Sequence, residues 1–209
     1  MAKTGTIVID PGHGGLHDVG GSSHNNATSA SGVLEKNIVL RMAFLVREQL
    51  ALQAAAGGHS LTVFMTRDKD VNLGLAARAD VAKKNKADLF LSIHCNGFNK
   101  KARGTETLIS PASVNPNHTA DRAFAQQIQS AVFGVISRHD AKAVDRKVKD
   151  QKLGVLKRAD LGSKTRGCLL ELEFIDVKAV DELLNIGPNS PQVRKEIAEE
   201  IAKKMIIAI

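Results

Sequence analysis

The chain has 209 residues, and its 29 basic and 22 acidic side chains give a formal net charge of +7 at neutral pH. A hydrophobic fraction of 43% with 24% charged residues is typical of a globular protein and excludes a disordered chain. Two cysteines exclude a scaffold held by several disulfides. Trp and Tyr are absent, which argues against aromatic platforms for sugars or single-stranded nucleic acid. The positive charge favours an acidic partner such as RNA, anionic lipid or a wall polyanion.

Apolar periodicity predicts strands and helices that alternate along the chain. The predicted strands are 6–10, 61–66, 89–94, 105–110 and 168–174. The predicted helices are 34–56, 73–85, 120–137, 178–185 and 191–209. This order is typical of an α/β protein with helices on both faces of a mostly parallel or mixed sheet. No internal repeat or linker interrupts it, so we expect a single domain over 1–209, with its core from about residue 6.

Two segments lack this periodicity. Residues 11–33 are rich in Gly, Ser, Asn and His and predict a long loop, which in a compact domain is usually functional. Residues 138–152 form a charged segment for which no element is predicted. The first residues lack the apolar region of a signal peptide, and no apolar run has the length of a membrane-spanning helix. We therefore expect no membrane insertion.

Three residues that can bind a metal stand at the ends of predicted elements. His13 follows the first strand, Glu35 opens the first helix and His94 ends the third strand. They are too far apart in sequence to form a local ligand motif, so only the fold can assemble them. Two imidazoles and a carboxylate are the ligand set of a catalytic Zn²⁺ with one position open for water. Each also has a simpler explanation: a turn for His13, the helix dipole for Glu35 and a structural histidine for His94.

Two glutamates interrupt the apolar strand at 168–174. Glu171 and Glu173 alternate with Leu170 and Leu172, so both are predicted to point to one face of the sheet. A carboxylate in an apolar strand is costly unless it is paired, hydrogen-bonded or near a metal. One of the two is therefore a candidate general base, and periodicity does not distinguish them.

The other reactive side chains have ordinary interpretations. Cys95 and Cys168 are predicted to be small core residues. The sequence contains neither the G-x-S-x-G motif of serine hydrolases nor a phosphate-binding P-loop. Five further histidines are predicted to lie at the surface: His17, His24, His59, His118 and His139.

Taken in order, these segments resemble the zinc-dependent N-acetylmuramoyl-L-alanine amidases, the type 3 group of cell-wall hydrolases. The similarity runs from about residue 6 to the C-terminal end. The segments that carry it are TIVIDPGHGG at 6–15, GVLEKN at 32–37, Thr66-Arg67-Asp68, LGLAARADVAKKNKADLFLSIHCN at 73–96, Arg103-Gly104-Thr105-Glu106-Thr107 and LLELEFID at 169–176.

The resemblance implies a fold, a reaction and a set of site residues. The fold is a twisted, mostly parallel sheet of about six strands with helices on both faces. Carried over residue by residue, the Zn²⁺ ligands are His13, Glu35 and His94, and the catalytic glutamate is Glu171. The implied reaction is hydrolysis of the amide between N-acetylmuramic acid and L-alanine in peptidoglycan, as in autolysins and endolysins. The loop at 16–31 and the segment at 97–104 are expected to wall the substrate groove.

The sequence departs from the family pattern at a few positions. Glu173 stands where relatives more often have a small residue, and Cys95 replaces a usual alanine. Some relatives insert a long helix that blocks the site until an activator removes it. The stretch 110–140 contains one helix of ordinary length, so we expect a monomeric enzyme that needs no activator. Its place of action would be the bacterial wall, in the periplasm or outside the cell.

Two other functions compete with the amidase. One is a non-catalytic wall-binding protein on the same fold, which the net charge favours slightly and the complete ligand set opposes. The other is a zinc peptidase that acts on free peptides, such as a carboxypeptidase. Nucleic-acid binding is a distant alternative, because no recognisable motif accompanies the positive charge.

Overall fold

Six strands form one sheet in the computed structural model, which describes residues 1–209. The strands are β1 (Thr4–Pro11), β2 (Ser60–Met65), β3 (Leu89–Asn96), β4 (Thr105–Ile109), β5 (Asp145–Asp150) and β6 (Arg166–Phe174). Their order across the sheet is β2-β1-β3-β6-β4-β5. The first four in this order are parallel, whereas β4 pairs antiparallel with β6 and parallel with β5. The sheet is therefore mostly parallel, with two reversed strands at one edge.

Helices connect the strands and cover the sheet. They are α1 (Glu35–Gly57), α2 (Leu75–Lys84), α3 (His118–His139), α4 (Arg158–Leu161), α5 (Lys178–Asp181) and α6 (Ser190–Ala208), with a π-helical turn at Glu182–Ile186 and 3₁₀ turns at Ala112–Val114 and Gly154–Leu156. Gly58 ends α1 in a left-handed conformation, with φ of 64°. Pro191 lies in the first turn of α6, where its missing N–H costs no helical hydrogen bond.

The core lies on both faces of the sheet. On one face, α1, α3 and α6 pack in a cluster of 33 buried apolar residues that includes Ile7 and Ile9 of β1. On the other face, α2 and α4 contribute to a smaller cluster of ten residues that includes Val8 of the same strand. Burial on both faces explains why Ile7–Ile9 of β1 and Leu89–Leu91 of β3 are apolar at successive positions. The predicted α/β fold is thereby confirmed, including the helices on both faces.

The charged segment at 138–152 contains the one strand that the sequence pattern missed. β5 has the sequence DRKVKD and lies at the edge of the sheet, where its side chains are mostly half-buried or exposed. An edge strand needs few apolar residues, and charged residues there discourage pairing with other chains. The apolar signal is therefore missing although the backbone is paired with β4.

The sequence predicts no membrane insertion, and the helices of the structure bear on this prediction. None of the helices combines the length and the apolar composition that crossing a membrane requires.

Burial predicts that two isoleucines of α6 differ in their effect on stability. Ile201 is fully buried in the larger cluster, whereas Ile207 is 51% exposed. Replacing Ile201 by Ala should lower the free energy of unfolding by about 2–5 kcal/mol, because it removes buried apolar atoms and leaves a cavity. Urea denaturation followed by circular dichroism measures this change. The matched substitution Ile207→Ala should change the value by about 0.5 kcal/mol or less, and equal effects would contradict the assignment of the buried face.

Candidate metal centre and active site

The sheet topology brings the predicted site residues to one edge. The carboxyl ends of β1, β3 and β6 meet there, and the reversed strand β4 begins there. His94 on β3 is the register partner of Glu171 on β6, and Glu171 lies opposite Glu106 on β4. Ligand atoms of His13, Glu35 and His94 all lie within 4.8 Å of one another. The structure therefore assembles all three predicted ligands beside the predicted base.

His13 is held in an uncommon backbone conformation. Its φ is 59°, in the left-handed region that residues with a Cβ rarely adopt. The imidazole Nδ1 lies 2.9 Å from the backbone oxygen of Ser23, which can only accept a hydrogen bond. A hydrogen on Nδ1 leaves the lone pair of Nε2 free. Nε2 is buried and has no hydrogen-bonding partner, although it lies 3.2 Å from Oε1 of Glu35.

Two buried arginines support the loop that carries His13. Arg78 of α2 is 1% exposed and donates hydrogen bonds to the backbone oxygens of Pro11 and His13, at 2.8 and 2.7 Å. Arg67, which follows β2, donates to the backbone oxygens of Pro11 and Gly12, at 2.9 and 2.8 Å. Burial and the nearby charge of Arg78 lower the pKa of Arg67 to about 10, so it stays positive at neutral pH. The loop backbone is thus bound from two sides.

Asp10 provides the counter-charge for these arginines. Its carboxylate is fully buried at the end of β1 and accepts a hydrogen bond from Arg78 at 2.9 Å. Thr66, which follows β2, and Ser92 of β3 donate two further hydrogen bonds. Burial alone would raise the pKa of Asp10, but the Arg78 charge and these hydrogen bonds outweigh it and lower the pKa. Asp10 is therefore an ionised partner at neutral pH.

Glu35 is oriented by backbone donors on both sides. Its Oε2 accepts a hydrogen bond from the N–H of Ala27 at 2.9 Å, and its Oε1 accepts one from the N–H of Cys95 at 3.0 Å. Burial opposes ionisation, but the adjacent imidazoles of His13 and His94 outweigh it and hold the pKa of Glu35 far below its usual range. The carboxylate is therefore charged and points between the two imidazoles.

The ring of His94 packs against a glycine. A Cβ added at Gly12 would lie 2.2 Å from Cε1 of His94, so only glycine allows this close approach. The imidazole Nδ1 of His94 lies 3.0 Å from Oε1 of Glu35. The rings of His13 and His94 meet edge to face with centroids 4.7 Å apart. Both rings thus present a nitrogen to the same carboxylate oxygen.

These donors fit a divalent zinc ion. The set consists of two imidazoles and one carboxylate, which is a ligand set of catalytic zinc sites with an open position. The buried Nε2 of His13 has no protein partner, and the hydrogen bond on the opposite side of its ring fixes the tautomer that a metal requires. Hydrogen bonds from the backbone N–H groups of Ala27 and Cys95 hold Glu35 in a similar way. The donor chemistry and its support therefore agree with a metal centre.

Glu171 lies beside this centre with an unsatisfied carboxyl oxygen. Its Oε2 is buried and has no hydrogen-bonding partner, although the residue as a whole is half-buried. Burial, followed by the negative charges of Glu35 and Glu106, raises the pKa of Glu171 well above its usual value. A carboxyl group with these surroundings is suited to accept and return a proton.

Glu173 does not share the surroundings of Glu171. A β-bulge between β3 and β6 shifts the register after His94 and Glu171, and Asn96 then pairs with Phe174. The Glu173 carboxylate instead accepts hydrogen bonds from the N–H groups of Gly104 and Phe174, at 2.6 and 2.8 Å. Nε of Arg103 lies 3.7 Å from Oε1 of Glu173. Glu173 is thus occupied by its backbone donors and an ion pair.

The cavities around the centre involve both segments that were expected to wall the groove. A cavity of about 110 Å³ lies against His13 and His94 and is lined by residues 21–23 of the long loop. A second, of about 400 Å³, lies next to Glu106 and is lined by Gly97, Phe98 and Ala102. A third cavity, of about 550 Å³, lies between loop residues 28–31 and α5 and contains none of the four predicted site residues.

Sequence reasoning missed the supporting residues of the site. Arg67 and Arg78 lie in segments that carried the family resemblance, but nothing in their pattern showed that their side chains are buried. Asp10 and Glu106 were likewise left without a role. The available signal was a charged residue directly at the end of an apolar strand, as in Ile9-Asp10 and Thr66-Arg67. Burial of such a charge requires a partner, which only the fold identifies.

The Asp10–Arg78 pair yields a prediction on stability. Arg78→Met should lower the free energy of unfolding by about 3–5 kcal/mol, because it leaves the buried Asp10 charge without its counter-charge and removes the side-chain donor to the backbone oxygens of Leu73 and His13. Urea denaturation followed by circular dichroism measures the loss. Arg47→Met is the matched control, because Arg47 is exposed and only packs over the Phe44 ring, 5.0 Å from its centroid. A loss at Arg78 no larger than at Arg47 would show that the pair does not hold the loop.

Comparisons with known proteins agree with this geometry. The family model described as N-acetylmuramoyl-L-alanine amidase matches residues 7–206. An uncharacterised cell wall amidase of Bacillus anthracis is 34% identical over 94% of this chain, which covers 34% of that protein. The endolysin of Bacillus phage SPP1 is 30% identical over 94% of this chain, which covers 65% of the endolysin. The chain thus spans about a third of the first of these relatives and about two thirds of the second.

A solved structure supports the same assignment. The catalytic domain of CwlV, an N-acetylmuramoyl-L-alanine amidase from Paenibacillus polymyxa, superposes with a TM-score of 0.75 at 26% identity, covering 96% of each chain. The family match extends over nearly the whole sequence and includes every residue of the centre described above. The chain therefore belongs to the N-acetylmuramoyl-L-alanine amidase family.

Proposed function

We propose that residues 1–209 are a zinc-dependent catalytic domain that hydrolyses the amide between N-acetylmuramic acid and L-alanine in peptidoglycan. The observation that carries the proposal is the meeting of His13, Glu35 and His94 beside a carboxyl group, Glu171, that has no partner of its own. A binding module would not need a buried base with an unsatisfied oxygen. The family match and the CwlV likeness support the same reaction.

The ligands and the base have separate roles. His13, Glu35 and His94 would hold the zinc ion, which when bound polarises a carbonyl oxygen and lowers the pKa of water. Glu171 accepts one proton from the attacking water and donates it to the leaving nitrogen. The C–N bond of the amide breaks, the lactyl group keeps the new carboxylate, and L-alanine leaves with a free amine. The raised pKa of Glu171 favours its holding the proton between these two steps.

The surroundings of the site are consistent with an enzyme that acts alone. α3, the one long helix between β4 and β5, packs against the sheet and α6 within the larger core cluster and does not cover the metal ligands. We therefore propose a monomer that needs no activator, acting on peptidoglycan in the periplasm or outside the cell. The net charge of +7 would give a weak attraction to an anionic wall that decreases as salt increases.

Metal removal should abolish the activity. Metal analysis of the purified protein should find about one zinc per chain, and chelation should lower the thermal midpoint as well as remove hydrolysis, because a ligand bound only to the folded state stabilises it. His13→Gln should reduce the zinc content, whereas His17→Gln, on an exposed residue of the same loop, should leave it unchanged. Full zinc content in the His13 variant would contradict the proposed centre.

Glu171→Gln should separate metal binding from chemistry. The variant keeps the size of the side chain but removes the proton acceptor, so the rate should fall by at least about 100-fold while the zinc content is retained. Mass spectrometry of digested peptidoglycan measures the release of peptides with N-terminal L-alanine, and new reducing sugar ends should be absent.

Glu173→Gln is the control for this experiment. Its carboxylate is occupied by Gly104 and Phe174, so we expect lower stability but near-normal activity of the folded fraction. An active Glu171 variant together with an inactive Glu173 variant would assign the base to Glu173. Cleavage of free peptides that lack the muramoyl group would instead favour a zinc peptidase.

A further inference from the structure

We propose that Arg146 on the edge strand β5 selects substrates by binding a free carboxylate of the stem peptide, specifically the α-carboxylate of the residue that follows L-alanine. This inference rests on the proposed amidase function and adds a specificity-determining residue to it. The observations that carry it are the cavity beyond Glu171, the way in which Arg146 is anchored there, and the hydrogen-bonding capacity that this anchoring leaves unused.

The position of the cavity assigns it to the peptide side of the cleaved bond. The acyl carbon must lie toward the metal ligands, and the leaving nitrogen must lie toward Glu171, which returns the proton. Glu106 lies directly opposite Glu171 on β4, on the side away from His94. The cavity of about 400 Å³ is lined by Glu106, Arg146 and Phe174, so it continues the path from Glu171 in the direction of the leaving peptide.

Three contacts hold Arg146 in place. Its Nε donates a hydrogen bond to Oε2 of Glu106 at 2.9 Å. Its guanidinium carbon lies 5.1 Å from the centroid of the Phe174 ring, within the range of a cation–π interaction. Its aliphatic part packs on Gly104, where an added Cβ would lie 2.6 Å from Cγ of Arg146, and Gly104 has φ of 125°. These contacts fix the position of the Arg146 guanidinium, as a ligand-binding side chain requires.

This anchoring leaves the rest of the guanidinium available. The two terminal nitrogens of Arg146 make no hydrogen bond to the protein, and the side chain is 34% exposed. Glu106 is also bound by Lys149 and Asn96, so the two cations around it outnumber its single negative charge. A planar donor pair with a surplus positive charge matches a carboxylate. The cavity therefore favours an anionic group over a neutral amide.

The distance along the peptide determines which of its carboxylates reaches Arg146. One residue of extended chain spans about 3.3–3.6 Å, so a group on the residue after L-alanine lies one residue from the nitrogen at Glu171. Antiparallel register partners have Cα atoms about 4.5–5.5 Å apart, so Glu106 and the Arg146 bound to it lie within the reach of that residue. A carboxylate at the far end of the peptide would extend past the cavity.

The test measures the hydrolysis of three soluble muropeptides by the wild-type, zinc-loaded protein. The first has a free α-carboxylate on the glutamate that follows L-alanine, the second has an α-carboxamide there, and the third has a carboxamide at the C-terminal residue instead. We expect kcat/KM for the first to exceed that for the second by about 10- to 100-fold, the range for one charge-assisted contact, and to equal that for the third.

Two variants assign the preference to Arg146. Arg146→Met should remove the preference for the α-carboxylate, and Arg146→Lys should retain only part of it, because lysine keeps the charge but not the planar donor pair. The ratio between substrates is independent of how much of each variant is folded. Lys147→Met is the matched control: its side chain is 75% exposed and pairs with Asp145, so the ratio should stay at the wild-type value.

Distinct results overturn the inference and the proposed function. Equal hydrolysis of the first two substrates by the wild type, or an unchanged ratio in Arg146→Met, would overturn the inference and leave the amidase function intact. A lower kcat/KM for the third substrate alone would show that the recognised carboxylate lies at the C-terminal end of the peptide. This result would also overturn the inference. Hydrolysis of none of the three by the zinc-loaded protein would contradict the proposed function itself.

Discussion

The buried ion pair between Asp10 and Arg78 is the interaction on which the site depends. It ties the end of β1 to α2, and the same arginine binds the backbone oxygens of Pro11 and His13. A charge in this position is costly unless it is fully paired, and here both members have several hydrogen bonds. The pair therefore holds His13 in its left-handed conformation and aims its imidazole at Glu35.

Negative charge is distributed unevenly around the centre, and this distribution gives the carboxylates different proton affinities. Glu35 is compensated by two imidazoles and two backbone N–H groups, so it is ionised and suited to a cation. Glu106 is compensated by Arg146, Lys149 and Asn96. Glu171 lies between them without a partner, and its proton affinity is raised. Three carboxylates on adjacent elements thus differ in proton affinity because their partners differ.

The fold was predicted from particular segments with few errors. Apolar runs such as Leu89–Leu91 show their strand character because helices bury both faces of the sheet. β5 was missed because an edge strand is stabilised by its backbone pairing and can have charged side chains. The bulge in β6 was also invisible, since the alternation of Glu171 and Glu173 in sequence continues while the register of the strands shifts.

By itself, the sequence determined the fold class and the family, and it predicted four residues that the structure brings together, because side chains of these types can be recognised in the sequence. Tertiary structure alone decided how these groups are charged and oriented. Burial of Arg67 and Arg78, the separation of Glu173 from Glu171 and the free donors of Arg146 arise from contacts between residues far apart in the chain. Such contacts set the cost of each charge, and no local pattern records them.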